Sequence, residues 1–348
     1  MTSNNTNESF SQFEVIISYE NLYAAHKRAR SSKQHKREVI EFELHLSQNL
    51  WSLHYDLKYH RYNISGYNKF MIYDPKEREI QAISYRDRIV QHSLCDNFLT
   101  PLLENHLINV NCACRREKGT DYAIKKLKSF MTSHYRKYRK TGYFVKLDIK
   151  KYFPSINHQI LKQKLWKIIK DSNIRYLLET IIDSYGNGQG LPMGNQSSQN
   201  FALLYLDRID RIIKEKLRVK CYVRYMDDMI MLVRTKQEAD LIFETVKKEL
   251  EKEKLALNPK SKVFPVKDGI QFLGWNFKYS KNGKIIQTVK AQSKQRVFSK
   301  VKNFRHLYNI GMKNQEDKEC ILASYKGHFQ RGNSNRVFRK VNTILETI

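Results

Sequence analysis

Asp227 and Asp228 are adjacent carboxylates between two apolar runs, 219–223 and 229–233. Apolar runs on either side of a short polar segment predict a β-hairpin with the two acidic residues at its tip. Two neighbouring anions in a tight turn repel each other, and a bound divalent cation would remove that cost. A bare Asp-Asp pair is more often an ordinary exposed turn, so it indicates a metal site only in context.

A third carboxylate, Asp148, ends a segment at 144–149 in which apolar residues alternate with Lys146 and Asp148. This alternation predicts a β-strand. If the strand lies beside the hairpin, the three carboxylates would form one cluster. Phosphoryl transfer with two metals uses such hard oxygen ligands, because one ion activates the attacking hydroxyl and the other holds the nucleotide phosphates.

The charge of the chain indicates a polyanionic partner. It has 63 Lys and Arg against 35 Asp and Glu, a net charge of +28. A membrane-surface protein would concentrate positive charge in a tail or one amphipathic helix, whereas here it runs along the whole chain. The 21 Tyr and 17 Phe are interleaved with these cations and could stack on bases. Nucleic acid is therefore the favoured partner.

The remaining composition points to a folded protein of the cytoplasm. Hydrophobic residues make up 41% of the chain, enough for a sizeable core. The five cysteines are an odd, scattered set, which argues against a disulfide framework and for a reducing compartment. The first nine residues are polar and contain no signal region, and there is no run of about 18 apolar residues. We expect a soluble protein with no membrane partner.

The elements that must position the carboxylates are predicted as an α+β set. Periodicity and turn signals predict helices and strands along most of the chain. The last 58 residues carry twelve Lys and Arg against four Asp and Glu. Helices are predicted at about 13–59, 86–103, 123–140, 201–217, 237–255 and within 291–348; extended segments at 70–85, 144–149, 219–223, 229–233, 270–277 and 284–289, the last two joined by an Asn-Gly turn; and a glycine-rich loop at 186–194.

Several of these segments resemble reverse transcriptases. The segment 225–228, Tyr-Met-Asp-Asp, resembles the Y-x-D-D box of that family, and 147–153 resembles its preceding aspartate motif, about eighty residues upstream. Residues 75–80 followed by 86–91 look like the fingers motif. Residues 257–261 and 272–275 are similar to the two late palm motifs. Together the matches follow the family's order over roughly 70–290.

The resemblance implies a right-hand polymerase with fingers, a palm built on an antiparallel sheet, and a helical thumb. We expect an N-terminal helical extension at 1–69, fingers and palm at 70–290, and a basic thumb at 291–348. Asp148, Asp227 and Asp228 would be the catalytic residues. With Ile149 they would form the site of two Mg²⁺ ions, for which Mn²⁺ is a possible substitute.

The resemblance also implies binding residues. Phe153 occupies the steric-gate position, where an aromatic ring excludes a ribose 2′-hydroxyl; the alternative is a core aromatic. Among the cations named below, Arg78 is favoured as a ligand of the triphosphate, whereas the others could equally be solvated surface residues. The implied nucleotide-binding residues are Lys76, Arg78, Arg86, Lys150, Lys151, Tyr152, Phe153, Met193, Gly194 and Lys260, and the implied nucleic-acid-binding residues are Arg115, Arg116, Lys118, Tyr225, Met226, Trp275, Lys294, Arg296, Lys300 and Lys302.

The segment 190–199 bears on the kind of reverse transcriptase. Group II intron enzymes end this motif in Ser-Pro, whereas this chain has Ser198-Gln199, which resembles the enzymes of diversity-generating retroelements. The segments 325–328 and 332–333 are similar to the thumb of that group. Met193 stands where many relatives have a Gln that touches the incoming nucleotide, and a non-Gln residue there is associated with error-prone copying of adenine. The alternative is that Met193 only fills space.

Partners follow from the same resemblance. The substrates would be dNTPs, an RNA template and an RNA/DNA primer-template, with priming from a 3′-hydroxyl or a protein hydroxyl. Too little chain follows residue 277 for an RNase H domain, so strand cleavage and primer would come from the RNA, a partner or the host. A retroelement enzyme would also use a small basic accessory protein. The sequence is also compatible with a homo-oligomer.

Two alternatives remain at this point. One is an antiphage-defence reverse transcriptase that works with a dedicated noncoding RNA, a group that shares the palm motifs. The other is a non-catalytic RNA-binding module on a polymerase fold. Because all three carboxylates are present, the sequence favours the enzyme over the module.

Overall fold

The computed structural model of the chain describes residues 11–73 and 77–346. Helices and antiparallel sheets are mixed along the sequence, which makes the fold α+β, as predicted. Two clusters of buried apolar side chains form the interior. They lie on opposite faces of one four-stranded sheet, so this sheet organises the rest of the fold.

Four helices open the described chain. Ser11 and Ser18 cap the first two, since each side chain accepts a hydrogen bond from a backbone N–H in the first turn. On the fourth helix Leu50, Leu53 and Leu57 are spaced to bury one face in the larger apolar cluster. The helices are α1 (Gln12–Ile17), α2 (Tyr19–Arg30), α3 (Arg37–Leu44) and α4 (Leu46–Lys58).

A two-stranded ribbon and a helical segment follow. The strands β1 (Tyr67–Ile72) and β2 (Arg78–Ile83) pair antiparallel and are mostly exposed. Ser84 caps the next helix by accepting from the backbone N–H of Asp87. The helical segment is α5 (Tyr85–Leu94), a π-helical turn (Cys95–Leu99) and α6 (Thr100–His106).

The central sheet has the order β4-β5-β3-β6, and every neighbouring pair is antiparallel. Leu147 lies opposite Met229, and Tyr225 lies opposite Asp228. The end of β3 and the turn between β4 and β5 therefore lie at the same edge of the sheet. The strands are β3 (Tyr143–Leu147), β4 (Cys221–Tyr225), β5 (Asp228–Val233) and β6 (Lys262–Pro265).

Side-chain alternation along the central strands assigns their two faces to different apolar clusters. Val145 and Leu147 belong to the larger cluster, whereas Phe144 belongs to the smaller one. On β5, Met229 and Met231 likewise point away from Ile230 and Leu232. Because helices cover both faces, the sheet is buried on both sides.

The covering helices come from separate parts of the chain. Helix α7 (Thr120–Tyr138) packs on the smaller cluster, and α13 (Lys236–Lys252) packs on the larger one. Further helical elements on the larger cluster are α8 (Tyr152–Ser155), α9 (His158–Ile168), α10 (Ser172–Asp183), α11 (Gln196–Tyr205), α12 (Asp207–Arg211) and a π-helical turn (Ile212–Lys216).

The C-terminal part consists of a three-stranded sheet and three helices. The sequence predicted one strand over 270–277, and this prediction is wrong. Leu273 and Gly274 have φ values of +47° and +84°, so the chain turns there and forms two paired strands. The Asn-Gly turn is confirmed between β8 and β9. The elements are β7 (Ile270–Phe272), a 3₁₀ turn before it (Val266–Asp268), β8 (Trp275–Tyr279), β9 (Ile285–Val289), α14 (Ala291–Asn309), α15 (Gln315–Gln330) and α16 (Asn335–Glu346).

Within residues 11–73 and 77–346, none of the helices combines the length and the apolar character that crossing a membrane requires.

Gly142 precedes β3 and gives the first prediction. A β-carbon on Gly142 would lie 2.5 Å from His134 Nε2 and 2.7 Å from the Val233 carbonyl oxygen. Gly66 is the matched control, since its φ of +112° resembles the +116° of Gly142 and a β-carbon there would meet no described atom within 4 Å. We expect Gly142→Ala to lower the free energy of unfolding by about 1–3 kcal/mol more than Gly66→Ala. Urea denaturation followed by circular dichroism measures both, and equal losses would contradict the prediction.

Candidate active site

The three predicted carboxylates lie at one edge of the central sheet. Asp148 directly follows β3, Asp227 lies in the turn between β4 and β5, and Asp228 begins β5. The segment after Asp148 is fixed by a second chain segment. The backbone N–H of Asn258 donates to the Asp148 carbonyl at 2.7 Å, and the Asp148 N–H donates to Ser261 Oγ at 3.0 Å. The segment 257–261 thus holds the backbone of Asp148 in place.

Asp228 is half-buried and has one cation beside it. Lys146 Nζ is 3.4 Å from Asp228 Oδ2 and also donates to the Gln271 carbonyl at 2.7 Å. Burial raises the pKa of Asp228 to about 6, although Lys146 opposes this and the charges of Asp148 and Asp227 add to it. Its Oδ1 is buried with no hydrogen-bond partner among the described residues. A buried anionic oxygen without a donor is a natural cation ligand.

Asp227 shows the same pattern. Burial raises its pKa, and the charge of Asp148 raises it further, while Arg224 and Arg78 lower it. The three carboxylates therefore interact electrostatically. Across the described part of the chain, however, no three His, Cys, Asp or Glu side chains are arranged to hold a metal ion as they stand. The three carboxylates repel one another, and a divalent cation bound among them would offset that repulsion. The unpaired Asp228 Oδ1 fits the role of a ligand for such a cation.

The turn that carries Asp227 rests on a buried ion pair that the sequence analysis missed. Met226 has a φ of +54°, a left-handed conformation that a side-chain-bearing residue seldom adopts. Arg224 donates to its carbonyl at 3.0 Å. The same guanidinium binds Asp210 at 2.5 and 2.7 Å, and the Tyr222 hydroxyl donates to Asp210 as well. Arg224 and Asp210 are both fully buried, so this network fixes the turn from beneath.

A cleft of about 1110 Å³ opens at the carboxylates. Its lining includes Asp148 and Asp228 together with five lysines, while Asp268 is a further acid in the wall. Cations around an anionic centre suit a polyanionic substrate, because they attract phosphates that the carboxylates alone would repel. The five lysines are Lys146, Lys260, Lys262, Lys278 and Lys290.

The predicted nucleotide-binding residues separate into exposed cations and interior residues. Arg78, Lys150, Lys151 and Lys260 are exposed, and the charge of Arg78 lowers the pKa of Asp227. Lys76 lies outside the described residues.

Other members of the predicted set make structural contacts. Arg86 forms an ion pair with Asp56 at 2.7 Å, which ties it to α4. Tyr152 is 3% exposed and donates its hydroxyl to the Ala202 carbonyl at 2.5 Å. The ring of Phe153 is only partly buried and meets Tyr152 edge-on at 5.8 Å.

The loop that carries Met193 is attached to the segment after the first aspartate. The Leu191 N–H donates to the Phe153 carbonyl at 2.9 Å, and the Gly190 N–H donates to the Ile156 carbonyl at 2.8 Å. Met193 is half-buried. Gly194 is exposed at φ +109°, and a β-carbon there would lie 3.5 Å from Ile80 in the ribbon. Met193 and Phe153 are therefore held by one hydrogen-bonded unit.

The predicted nucleic-acid-binding residues are also divided. Arg115 is 9% exposed and forms an ion pair with Glu104 at 2.8 Å, and Trp275 is 3% exposed and packs on His328. Both side chains are therefore packed inside the protein. Of the rest, Arg116 is exposed, Lys118, Tyr225 and Met226 are half-buried, and Lys294, Arg296, Lys300 and Lys302 lie on α14. Ile149, assigned to the metal site, is buried and pairs with Leu257.

The buried ion pair gives the second prediction. Asp210→Asn leaves Arg224 buried without its counter-charge, so we expect the free energy of unfolding to fall by about 3–5 kcal/mol. Asp240→Asn is the matched control, because Asp240 forms an exposed pair with Lys236 at 2.6 Å and its loss should cost less than about 1 kcal/mol. Thermal and urea denaturation measure both variants. Similar small losses for the two would show that the pair does not support the turn.

An antiparallel sheet that carries three carboxylates at one edge, two of which line a cationic cleft, is the arrangement of a nucleic-acid polymerase. The family described as "Reverse transcriptase (RNA-dependent DNA polymerase)" matches residues 75–277. This range holds the three carboxylates and more than half of the 348 residues, so the chain belongs to the reverse transcriptase family, whose members are RNA-directed DNA polymerases and generally use divalent metal ions.

The chain is also similar to several individual proteins. Protein YkfC of Escherichia coli (strain K12) is 24% identical over 278 residues, covering 66% of this chain and 72% of that protein. Telomerase from Candida albicans, solved with a TWJ fragment of telomeric RNA, gives a TM-score of 0.54 at 13% identity over 83% of this chain. Apo telomerase from Candida tropicalis gives 0.50 at 16% identity over 82%. The chain spans 56% and 62% of those two telomerase chains, and the likeness to them is one of fold.

Proposed function

We propose that this chain makes DNA on an RNA template, adding deoxynucleotides at Asp148, Asp227 and Asp228. The single observation that carries the proposal is the register of the central sheet, which brings the end of β3 beside the β4–β5 turn at the cleft. The reaction would occur in the cytoplasm, where RNA and dNTPs are available.

Two Mg²⁺ ions would be held by the three carboxylates, with Ile149 beside Asp148. When bound they would supply charge stabilisation for phosphoryl transfer and lower the pKa of the attacking hydroxyl. The unpaired Asp228 Oδ1 and the raised pKa values of Asp227 and Asp228 support a cation there. Carboxylates and the small hard Mg²⁺ ion are well matched, and Mn²⁺ could substitute.

The exposed cations near this edge would hold the triphosphate. Arg78 lies on the ribbon and its charge lowers the pKa of Asp227, while Lys150 and Lys151 follow Ile149 after the first aspartate. Lys260 lines the cleft. Fixed cations in these positions would stabilise the charge that develops on the phosphates during transfer. Phe153 would act as the gate against a ribose 2′-hydroxyl, because its ring is only partly buried.

The proposal gives the third prediction. We expect Asp227→Asn with Asp228→Asn to reduce primer extension on an RNA template by about 10³-fold or more, because the site loses its electrostatic stabilisation. Asp268→Asn is the control, since Asp268 lines the same cleft without being a predicted ligand, and it should retain synthesis. Substantial extension by the double variant would refute the proposed site.

A melting experiment tests metal binding separately from synthesis. A ligand that binds only the folded state at a hundred times its Kd adds about 2.7 kcal/mol of stability. Mg²⁺ should therefore raise the melting temperature of the wild type and leave that of Asp227→Asn with Asp228→Asn unchanged. An equal rise in both would place Mg²⁺ elsewhere on the protein.

We further propose that the enzyme serves a diversity-generating retroelement, with a template-repeat RNA and a small basic accessory protein as partners. The Ser198-Gln199 motif and Met193 support this. The antiphage-defence setting with a dedicated noncoding RNA is the second candidate, since both groups share the palm motifs. The priming group, a 3′-hydroxyl or a protein hydroxyl, is common to both settings.

Fidelity separates these settings and gives the fourth prediction. The loop with Met193 is hydrogen-bonded to the Phe153 segment, which supports the proposal that its side chain would line the nucleotide pocket. A thioether offers a flexible, weakly polar surface, whereas a Gln could hydrogen-bond and penalise misaligned pairs. We expect Met193→Gln to lower misincorporation opposite template adenine about tenfold, equal to about 1.4 kcal/mol.

The measurement is sequencing of products copied from one defined RNA by both proteins. Template positions other than adenine serve as the internal control. Equal error rates opposite adenine would show that Met193 only fills space. An accurate wild type would favour the defence setting over the retroelement.

A further inference from the structure

Five aromatic rings form a continuous row on the N-terminal helices. We call this row the aromatic ladder; it consists of Tyr23 and Tyr19 on α2, followed by Trp51, Tyr55 and Tyr59 on and just after α4. The distances between successive ring centroids are 6.4, 5.1, 5.9 and 6.2 Å, and the interplanar angles are between 8° and 31°. Each ring is thus tilted by no more than 31° relative to the next one in the row.

Helix geometry produces the row. Trp51, Tyr55 and Tyr59 are spaced by four residues, so they lie on one face about 6 Å apart along the axis. The opposite face of the same helix carries Leu50, Leu53 and Leu57, which are buried in the larger apolar cluster. The apolar face of α4 is therefore buried without any contribution from the ladder.

Three rings of the aromatic ladder are exposed to solvent and contribute little to the core. Trp51, Tyr55 and Tyr59 are 44%, 46% and 58% exposed. Single exposed apolar residues are ordinary on a protein surface, but a contiguous row of large rings marks a contact site. Tyr19 and Tyr23 are half-buried and anchor the row to the helices beneath it.

The charges around the ladder are mainly positive. Lys27 Nζ lies 4.5 Å from the Tyr23 ring centroid, and Arg61 Cζ lies 5.4 Å from that of Tyr59, so cations stand at both ends. Lys58, which precedes Tyr59, is exposed. Asp56 on α4 is paired with Arg86, whereas Glu20 beside Tyr19 is exposed and lines a pocket together with Glu14 and Lys58.

We propose that the aromatic ladder binds single-stranded RNA, with bases stacked on the rings and phosphates near Lys27, Lys58 and Arg61. Stacking platforms combined with cations are how proteins hold unpaired strands without reading their sequence. The net charge of +28 favours a polyanion over a protein surface as the occupant. The inference rests on the proposed function in one respect, that the RNA is the unpaired part of the template RNA.

The test compares two triple variants of the full-length chain. Changing Trp51, Tyr55 and Tyr59 to Leu keeps apolar bulk but removes the rings, whereas changing all three to Phe keeps the rings. Binding is measured by fluorescence anisotropy with labelled oligouridine RNA, oligothymidine DNA and a duplex RNA hairpin. We expect the Leu variant to bind oligouridine at least about tenfold more weakly, the Phe variant to bind within about threefold of wild type, and duplex binding to be unchanged.

Each other outcome overturns the proposal. Unchanged oligouridine binding by the Leu variant means that the ladder does not contact RNA. Equal losses in the Leu and Phe variants mean that stacking is not the interaction. An equal loss of duplex binding, or of melting temperature, means that the effect is general. A change in oligomeric state on gel filtration with RNA binding intact means that the ladder contacts another copy of the chain, and a loss confined to DNA identifies the wrong strand.

The assay contains no dNTP and reports binding alone. If the chain proved inactive in primer extension, the RNA-binding result would still stand. If the aromatic ladder did not bind RNA, primer extension would still be decided by its own assay.

Discussion

The antiparallel register of β3 on β5 is the constraint on which the site depends. It places Leu147 opposite Met229 and so brings Asp148 beside Asp228. A shift of one residue would turn the apolar side chains of both strands to the wrong faces and separate the carboxylates. Both clusters resist that shift, because alternate residues of β3 and β5 are buried on opposite sides. The packing that stabilises the interior therefore also fixes the distance between the carboxylates.

Concentrating carboxylates at a buried edge is costly, and the surroundings offset only part of it. Lys146 lies beside Asp228, and the Arg224–Asp210 pair supports the turn from below, yet burial still raises the pKa of Asp228 from 3.8 to about 6. A raised pKa means that the folded state favours the protonated carboxyl. In the metal-free protein this contribution to stability is fully present below pH 3.8 and is lost as the pH rises through about 6.

The sequence predicted the fold class, most elements and the three carboxylates, because their signals are local: apolar alternation, an Asn-Gly turn and short motifs in order. It missed α9 and α10, whose apolar faces carry no functional motif to draw notice. The turn at Leu273 was missed because a bulky residue at positive φ has no compositional signature. Arg224 and Asp210 are fourteen positions apart and meet only in three dimensions. A buried Arg looks like any surface cation until its partner is known.

The division of the apolar interior by one sheet has a consequence for how this protein can change over time. Phe144 and Val145 are consecutive in the chain, yet their side chains enter separate clusters. Energetic effects of substitutions add when the sites share no partners. Tyr225 packs against both clusters, so substitutions beside it would be coupled across the sheet. Farther from Tyr225, the cluster beneath the C-terminal helices can accumulate compensating substitutions independently of the larger cluster. Two lineages could therefore diverge in how the C-terminal helices are packed while the edge that carries the carboxylates stays the same.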